Sequence, residues 1–234
     1  MVKRSHALLV GWTALWLSGC AVSPPPIPIR DEPGLLVDIA YDPHAGEGHS
    51  HPASVSQDQL AIVLRGLQLE RRDVTGTFGV LSHARGAPAF SDRETTVLIP
   101  LLASGLSKAS PRDLVRFYLV QPDEQRNPLV TSGGIFVRNQ HLYVILANAR
   151  TSPSSVQYET PYEPNSRLNP LVPIARFKFK TSFSPVDWQI ATHQAKKVDS
   201  WDGYLDESKV VVVDLALLAQ NGLPAGLDKA MSKP

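Results

Sequence analysis

Ile135-Phe136-Val137-Arg138-Asn139-Gln140-His141-Leu142-Tyr143-Val144-Ile145-Leu146 is the stretch on which the reading of this chain turns. Two runs of aliphatic, β-branched and aromatic residues flank the polar pair Asn139-Gln140. Strand-forming runs around a two-residue polar link specify an antiparallel hairpin. Gly133-Gly134 stand just before the first run, and glycine inside a strand pattern admits a bulge or the close approach of another backbone.

Working outward from the hairpin, residues 115–120 read as a strand ended by Pro122, which has no N–H for a ladder. Leu35-Leu36-Val37-Asp38-Ile39-Ala40-Tyr41 reads as the first strand, bounded by Pro33-Gly34 and Asp42-Pro43. On the C-terminal side, Ile174, Phe177 and Phe179 alternate with Arg176, Lys178 and Lys180, as in a strand with one wet face over 174–183. Val210-Val211-Val212-Val213 is a short buried strand, followed by a helical turn over 215–219 closed by Asn221-Gly222. Residues 188–197 fit neither period.

Two helices are signalled by their starts. Ser54 or Ser56, with Gln57 or Gln59 three residues on, makes a capping box before Leu60, Val63, Leu64 and Leu67, giving a helix over 57–67. Ser91 and Glu94 make a second box with Phe90 as a hydrophobic staple, and Leu98, Leu102 and Leu106 then share one face. Pro100 removes one helical hydrogen bond at a cost of about 3 kcal/mol. The expectation is a kinked helix over 92–107, with a helix starting at Pro100 as the alternative.

Residues 73–90 read as a loop or weak hairpin. The segment 151–173 holds five prolines with Tyr158 and Tyr162, and is expected to be irregular and to run over the surface. The regular strand–helix alternation of a parallel sheet is missing. The expected fold is therefore α+β, a single mostly antiparallel sheet of about six strands with two main helices packed on one face, spanning residues 34–221. Residues 222–234 read as a loose tail.

The N-terminus has a different character. Lys3 and Arg4 precede an apolar run over 7–17, and Leu17-Ser18-Gly19-Cys20 closes it. The run has the length of a signal-peptide core and is too short to span a bilayer. This resembles the lipobox of bacterial lipoproteins, in which an aliphatic residue and two small ones lead to a cysteine. The resemblance implies that residues 1–19 are a signal peptide and that Cys20 carries lipid. Each buried methylene contributes about 0.8 kcal/mol, so two or more chains anchor stably. Ala21 in place of aspartate favours the outer membrane under the enterobacterial sorting rule. Pro24-Pro25-Pro26-Ile27-Pro28 then reads as part of an extended, polyproline-like spacer over 20–33.

Composition narrows the function. Without Lys3 and Arg4 the chain has 21 basic against 22 acidic residues, a formal net charge of −1. That balance gives no electrostatic reason for a nucleic-acid partner. Cys20 is the single cysteine. Committed to lipid, it leaves the domain without disulfides, thiol nucleophiles or thiolate metal sites. Neither Gly-x-Ser-x-Gly nor a glycine-rich phosphate loop occurs.

The best chemical candidate is Asp42-Pro43-His44-Ala45-Gly46-Glu47-Gly48-His49-Ser50-His51-Pro52. Neutral imidazole suits zinc or copper, and His49 and His51 face one side if the segment is extended. The competing expectation is a solvated loop that merely happens to be rich in histidine. Asp199, Asp202, Asp206 and Glu207 cluster near Gly203, but the calcium-loop pattern fails, with Val198 and Ser200 at its first two acidic positions and Lys209 at its last. The expectation is thus a lipid-tethered, non-enzymatic envelope domain. It would contact the membrane through Cys20 and an envelope protein through 151–173. The alternative is a metal-dependent or metal-handling protein using His44, His49 and His51.

Overall fold

The computed structural model describes residues 23–73, 82–83, 86–153, 167–174, 179–190 and 207–221. The signal segment with Cys20, the tail 222–234, residues 191–200, most of the acidic cluster near Gly203 and most of the 151–173 segment lie outside them.

The fold is α+β. Its main sheet is antiparallel, with strands in the order β1 (Ile27–Glu32), β2 (Leu35–Tyr41), β6 (Asp113–Pro122), β7 (Pro128–Arg138), β8 (His141–Thr151), β11 (Val210–Asp214) and the two-residue β10 (Gln189–Ile190). The hairpin is β7 and β8, with Phe136 opposite Tyr143. Asn139 and Gln140 both adopt positive φ, 52° and 63°. That is the backbone of a type I′ turn, whose twist matches that of its strands. Upstream, β7 shifts register around Ser132 and Gly133. A Cβ on Gly133 would lie 1.9 Å from the Ile145 carbonyl oxygen, so only glycine fits there.

Helices α1 (Gln57–Gly66) and α2 (Asp92–Lys108) start at complete capping boxes, Ser56 with Gln59 and Ser91 with Glu94. Helix α2 runs through Pro100. Pro100 and Thr96, the residue whose carbonyl loses its partner, are both exposed, so the missing bond falls on the solvent side of the helix. Leu60, Val63 and Leu64 of α1 and Leu98, Leu102 and Leu106 of α2 pack with Val37, Val115, Phe117, Ile135, Val137 and Val144 in one cluster. The alternate residues Leu114, Phe136, Tyr143, Ile145 and Val212 form a second cluster on the opposite sheet face. Full burial of such side chains is worth about 1.5–3 kcal/mol each.

Three expectations change. Residues 27–32 are not spacer. They form the edge strand β1, because Ile27, Arg30 and Glu32 register against Ile39, Val37 and Leu35. Pro28 is tolerated because an edge strand needs donors on one side only. The sheet is also not alone. β3 (Leu67–Asp73), which continues directly from α1, pairs with β9 (Phe179–Phe183) and with the short β4 (Ser82–His83) and β5 (Ala87–Pro88). Finally, of the strand read over 174–183, β9 is described and Ile174 lies outside any strand, while residues 175–178 lie outside the described residues. Residues 167–174 instead cross the helix-free face of the main sheet. The last helix, α3 (Leu215–Asn221), follows β11 directly.

Candidate functional site

The histidine-rich loop is only partly solvated: Pro43, Gly46, Glu47, Ser50 and Pro52 are exposed, while part of it turns inward. Asp42, Ala45, His49 and His51 are all buried. Main-chain bonds fix the loop at both ends: Asp42 N–H donates to Arg112 O, His49 N–H to Pro111 O, and Ala53 N–H to Leu106 O. The loop thereby wraps the end of the sheet, from the face bearing Phe136 round to the helices.

Its middle completes a ladder. The pairing of β6 with β7 stops at Val115 and Ile135, so Val137 has no β6 partner. Ser50 N–H donates to Val137 O at 2.7 Å, and Val137 N–H donates to His51 Nε2 at 3.0 Å. A loop backbone group and a ring nitrogen thus occupy the places of a strand's amide and carbonyl.

Beneath this lies a buried charged network. Asp42 Oδ1 accepts from His44 N–H at 2.8 Å, and Asp42 Oδ2 lies 2.7 Å from His49 Nε2. The Arg138 guanidinium donates through Nη2 to Ala45 O at 2.8 Å and faces His49 Nδ1 at 3.3 Å. A carboxylate only accepts and a guanidinium only donates. His49 therefore has one consistent state, neutral with its proton on Nε2, assigned from its partners. The His49 ring lies 4.2 Å from Phe136, which stacks on Tyr143 at 4.6 Å, and Arg138 sits 5.4 Å above Phe136. Burial pushes the Tyr143 phenol above its ordinary value, Arg138 opposing.

His51 is held neutral as well. Burial is the chief cause that lowers its pKa to about 4, with Asp113 opposing. Its Nε2 accepts from Val137, so the proton sits on Nδ1, and Nδ1 has no hydrogen-bond partner.

A shared zinc or copper site needs convergent free nitrogens. The rings of His49 and His51 come within 5.5 Å, but protein partners engage both nitrogens of His49 and Nε2 of His51. His44 joins through its main-chain N–H. Among the described residues no group of three histidine, cysteine or carboxylate side chains is placed to hold an ion.

Beside the loop opens a pocket of about 390 Å³, lined by Ser50, Ala53, Ser54, Val55, Val137, Asn139, Gln140, Leu215 and Ala216. Its floor is apolar, with Val55 and Val137 buried, while the exposed Ser50, Ser54, Asn139 and Gln140 form an uncharged rim. Such a hollow suits a small or flexible apolar group flanked by hydrogen-bonding functions.

A second polar cluster lies further along the helix-free face. Arg116 binds Asp38 through Nε at 2.8 Å and Nη2 at 2.6 Å, and also reaches Leu168 O. Ser132 Oγ donates to Pro170 O, while Asn148 donates to Val172 O and accepts from Ile174 N–H. Together they strap residues 168–174 to the sheet. Sequence reading passed over Asp38, Arg116, Arg138 and Asn148. The available signal was a charge or amide set inside or at the end of an apolar strand run.

No protein-family model, curated protein or solved structure matches this chain.

Proposed function

We propose that this chain is a lipid-anchored envelope protein, held in a bacterial membrane, with the outer membrane favoured, by acyl groups on Cys20. Its folded domain binds or supports another envelope component without catalysing a reaction. The observation that carries this reading is the ordered N-terminus: Lys3 and Arg4, the apolar run, then Leu17-Ser18-Gly19-Cys20. Its support is that β1, the first element among the described residues, begins at Ile27, so an attached domain follows the cysteine within a few residues. No helix among the described residues is long and apolar enough to cross a membrane.

The partner surface is proposed at the 151–173 segment. Its described end carries the exposed side chains of Leu168 and Val172, 59% and 41% accessible, on a strap held rigid by Arg116, Ser132 and Asn148. Exposed apolar groups on an ordered backbone suit protein contact, because little entropy is lost on binding.

The test is Cys20→Ser, with membrane fractionation and mass spectrometry of the mature N-terminus. The wild type is expected in the membrane fraction with acyl mass on Cys20, and the variant in the soluble fraction. A variant that stays membrane-bound overturns the lipid reading. Crosslinking in native membranes from Leu168 then tests the partner, and a chain that crosslinks to nothing counts against it.

A further inference from the structure

We propose that the end of the sheet carrying the pocket, the histidine-rich loop and the Asn139-Gln140 turn rests against the surface of the lipid bilayer. This rests on the lipid-anchor reading of Cys20 and adds an orientation that the anchor alone does not supply.

The argument starts from where β1 begins. Ile27 registers against Ile39, and Ile39 registers against Val115, which registers against Ile135. The chain therefore enters the fold at the end where β2 runs out into the Asp42 loop and β7 runs out into the Asn139 turn. The opposite end carries Gly34 and the residues joining β6 to β7, with Glu124 exposed among them.

Tether length then decides between orientations. Cys20 and Ile27 are seven residues apart, so their Cα atoms span at most about 24 Å fully extended and about 22 Å as a polyproline-type chain. From Val115, level with Ile27, to Pro122 is also seven residues, roughly 23 Å of strand, and the connection to β7 lies beyond that. An inverted domain would need a completely stretched tether merely to touch the membrane with its far end. With the pocket end down, the tether is slack.

The chemistry of that end fits a headgroup layer. The pocket rim is built from the hydroxyls and amides of Ser50, Ser54, Asn139 and Gln140, around an apolar floor. Ile27, at the tethered corner, is 61% accessible. The exposed Glu47, Lys108 and Arg112 of the same end carry both signs, so uncharged rim groups with an apolar residue beside them meet the polar–apolar boundary of a phospholipid surface without needing anionic lipid.

The experiment uses full-length lipidated protein in phosphatidylethanolamine–phosphatidylcholine vesicles containing an acceptor dye on a headgroup. With Cys20 acylated, one introduced cysteine is the only thiol available for a donor fluorophore. Ser54→Cys reports the pocket end and Glu124→Cys the far end, both at exposed positions. Flotation and acyl mass are measured first, and their failure overturns the anchor reading and this proposal with it. In floated protein, energy transfer several-fold stronger from position 54 than from 124 is expected. Equal or reversed transfer overturns the orientation and leaves the anchor standing.

Discussion

His51 Nε2 accepts the Val137 N–H at 3.0 Å, so a side-chain nitrogen replaces a strand carbonyl where the pairing of β6 with β7 stops. That bond needs a neutral ring. The folded pKa is near 4 against 6.5 for a free histidine, so the unfolded chain takes up a proton first as pH falls. Stability is fully present above pH 6.5 and declines from there towards pH 4, by up to about 3 kcal/mol. His51→Gln keeps an acceptor but does not titrate. Urea denaturation at steps between pH 7.5 and 4.5 should show a steeper decline for wild type than for the variant. Parallel curves would remove His51 as the source.

Asp42→Asn leaves shape intact and should still destabilise. The amide can satisfy His44 N–H or His49 Nε2–H through its one oxygen, but not both. Turning its N–H₂ toward His49 would force the ring proton onto Nδ1, against the Arg138 donor. A loss of about 3 kcal/mol is expected, as for a charge-assisted bond with a buried donor left unpaired. Nitrogen-15 NMR of the His49 ring checks the premise, which requires the proton on Nε2 in the wild type.

Arg116→Leu strands the Asp38 carboxylate in a buried position and should cost about 3–5 kcal/mol. Replacing both residues with leucine should cost clearly less, because no uncompensated charge remains. A double-mutant cycle in chemical denaturation measures the difference. Arg116 also holds Leu168 O, so the single variant should loosen the 168–174 strap, read as faster amide exchange at Ile174.

The two capping boxes should differ in weight. Ser56→Ala removes an exposed cap and should cost about 1 kcal/mol. Glu94→Ala removes a buried carboxylate that closes the Ser91 box, accepts from Thr131 Oγ1 at 2.9 Å and lies near Arg150. About 3 kcal/mol is expected, since the Thr131 hydroxyl is left unpaired as well. Equal losses would show that the Glu94–Thr131 contact contributes nothing.

Gly133→Ala places a methyl group 1.9 Å from a backbone oxygen that no side-chain rotation can move aside. The loss should reach the top of the range for overpacking, about 3 kcal/mol, or exceed it. Thermal unfolding is the measurement, and a melting temperature within a degree or two of wild type would mean the strand relaxes at the bulge.

Much of this architecture is legible in the chain. The two capping boxes mark the starts of α1 and α2 because capping is a contact between residues three apart. The Asn139-Gln140 link marks its hairpin because two residues leave one way for the strands to pair. Edge strand β1 is not legible. Its prolines argue for a spacer, and only the facing β2 reveals that 27–32 satisfy one side of a ladder. Strand β3 begins directly where α1 ends, but its pairing with β9, more than a hundred residues on, leaves no local trace.

The histidine-rich loop shows the same division. Its imidazoles and carboxylates are conspicuous in sequence, which supplies ligand types without partners. The Arg138 guanidinium and the Val137 N–H, remote in the chain, decide which nitrogens are used and which protons they carry. What the sequence by itself determined is local: helix starts, the hairpin turn, the alternation that gives the main sheet two apolar faces, and a lipobox-like N-terminus ahead of a cysteine-free domain. What only the tertiary structure decided is how distant groups are paired. It buries Asp42, His49 and His51 of a polar loop, seats Asp38 on Arg116, and brings the chain entrance to the same end as the pocket. Spacing carries the first kind of information because it follows from backbone geometry over a few residues. The second depends on which groups meet once water is excluded, and that is settled by the whole fold.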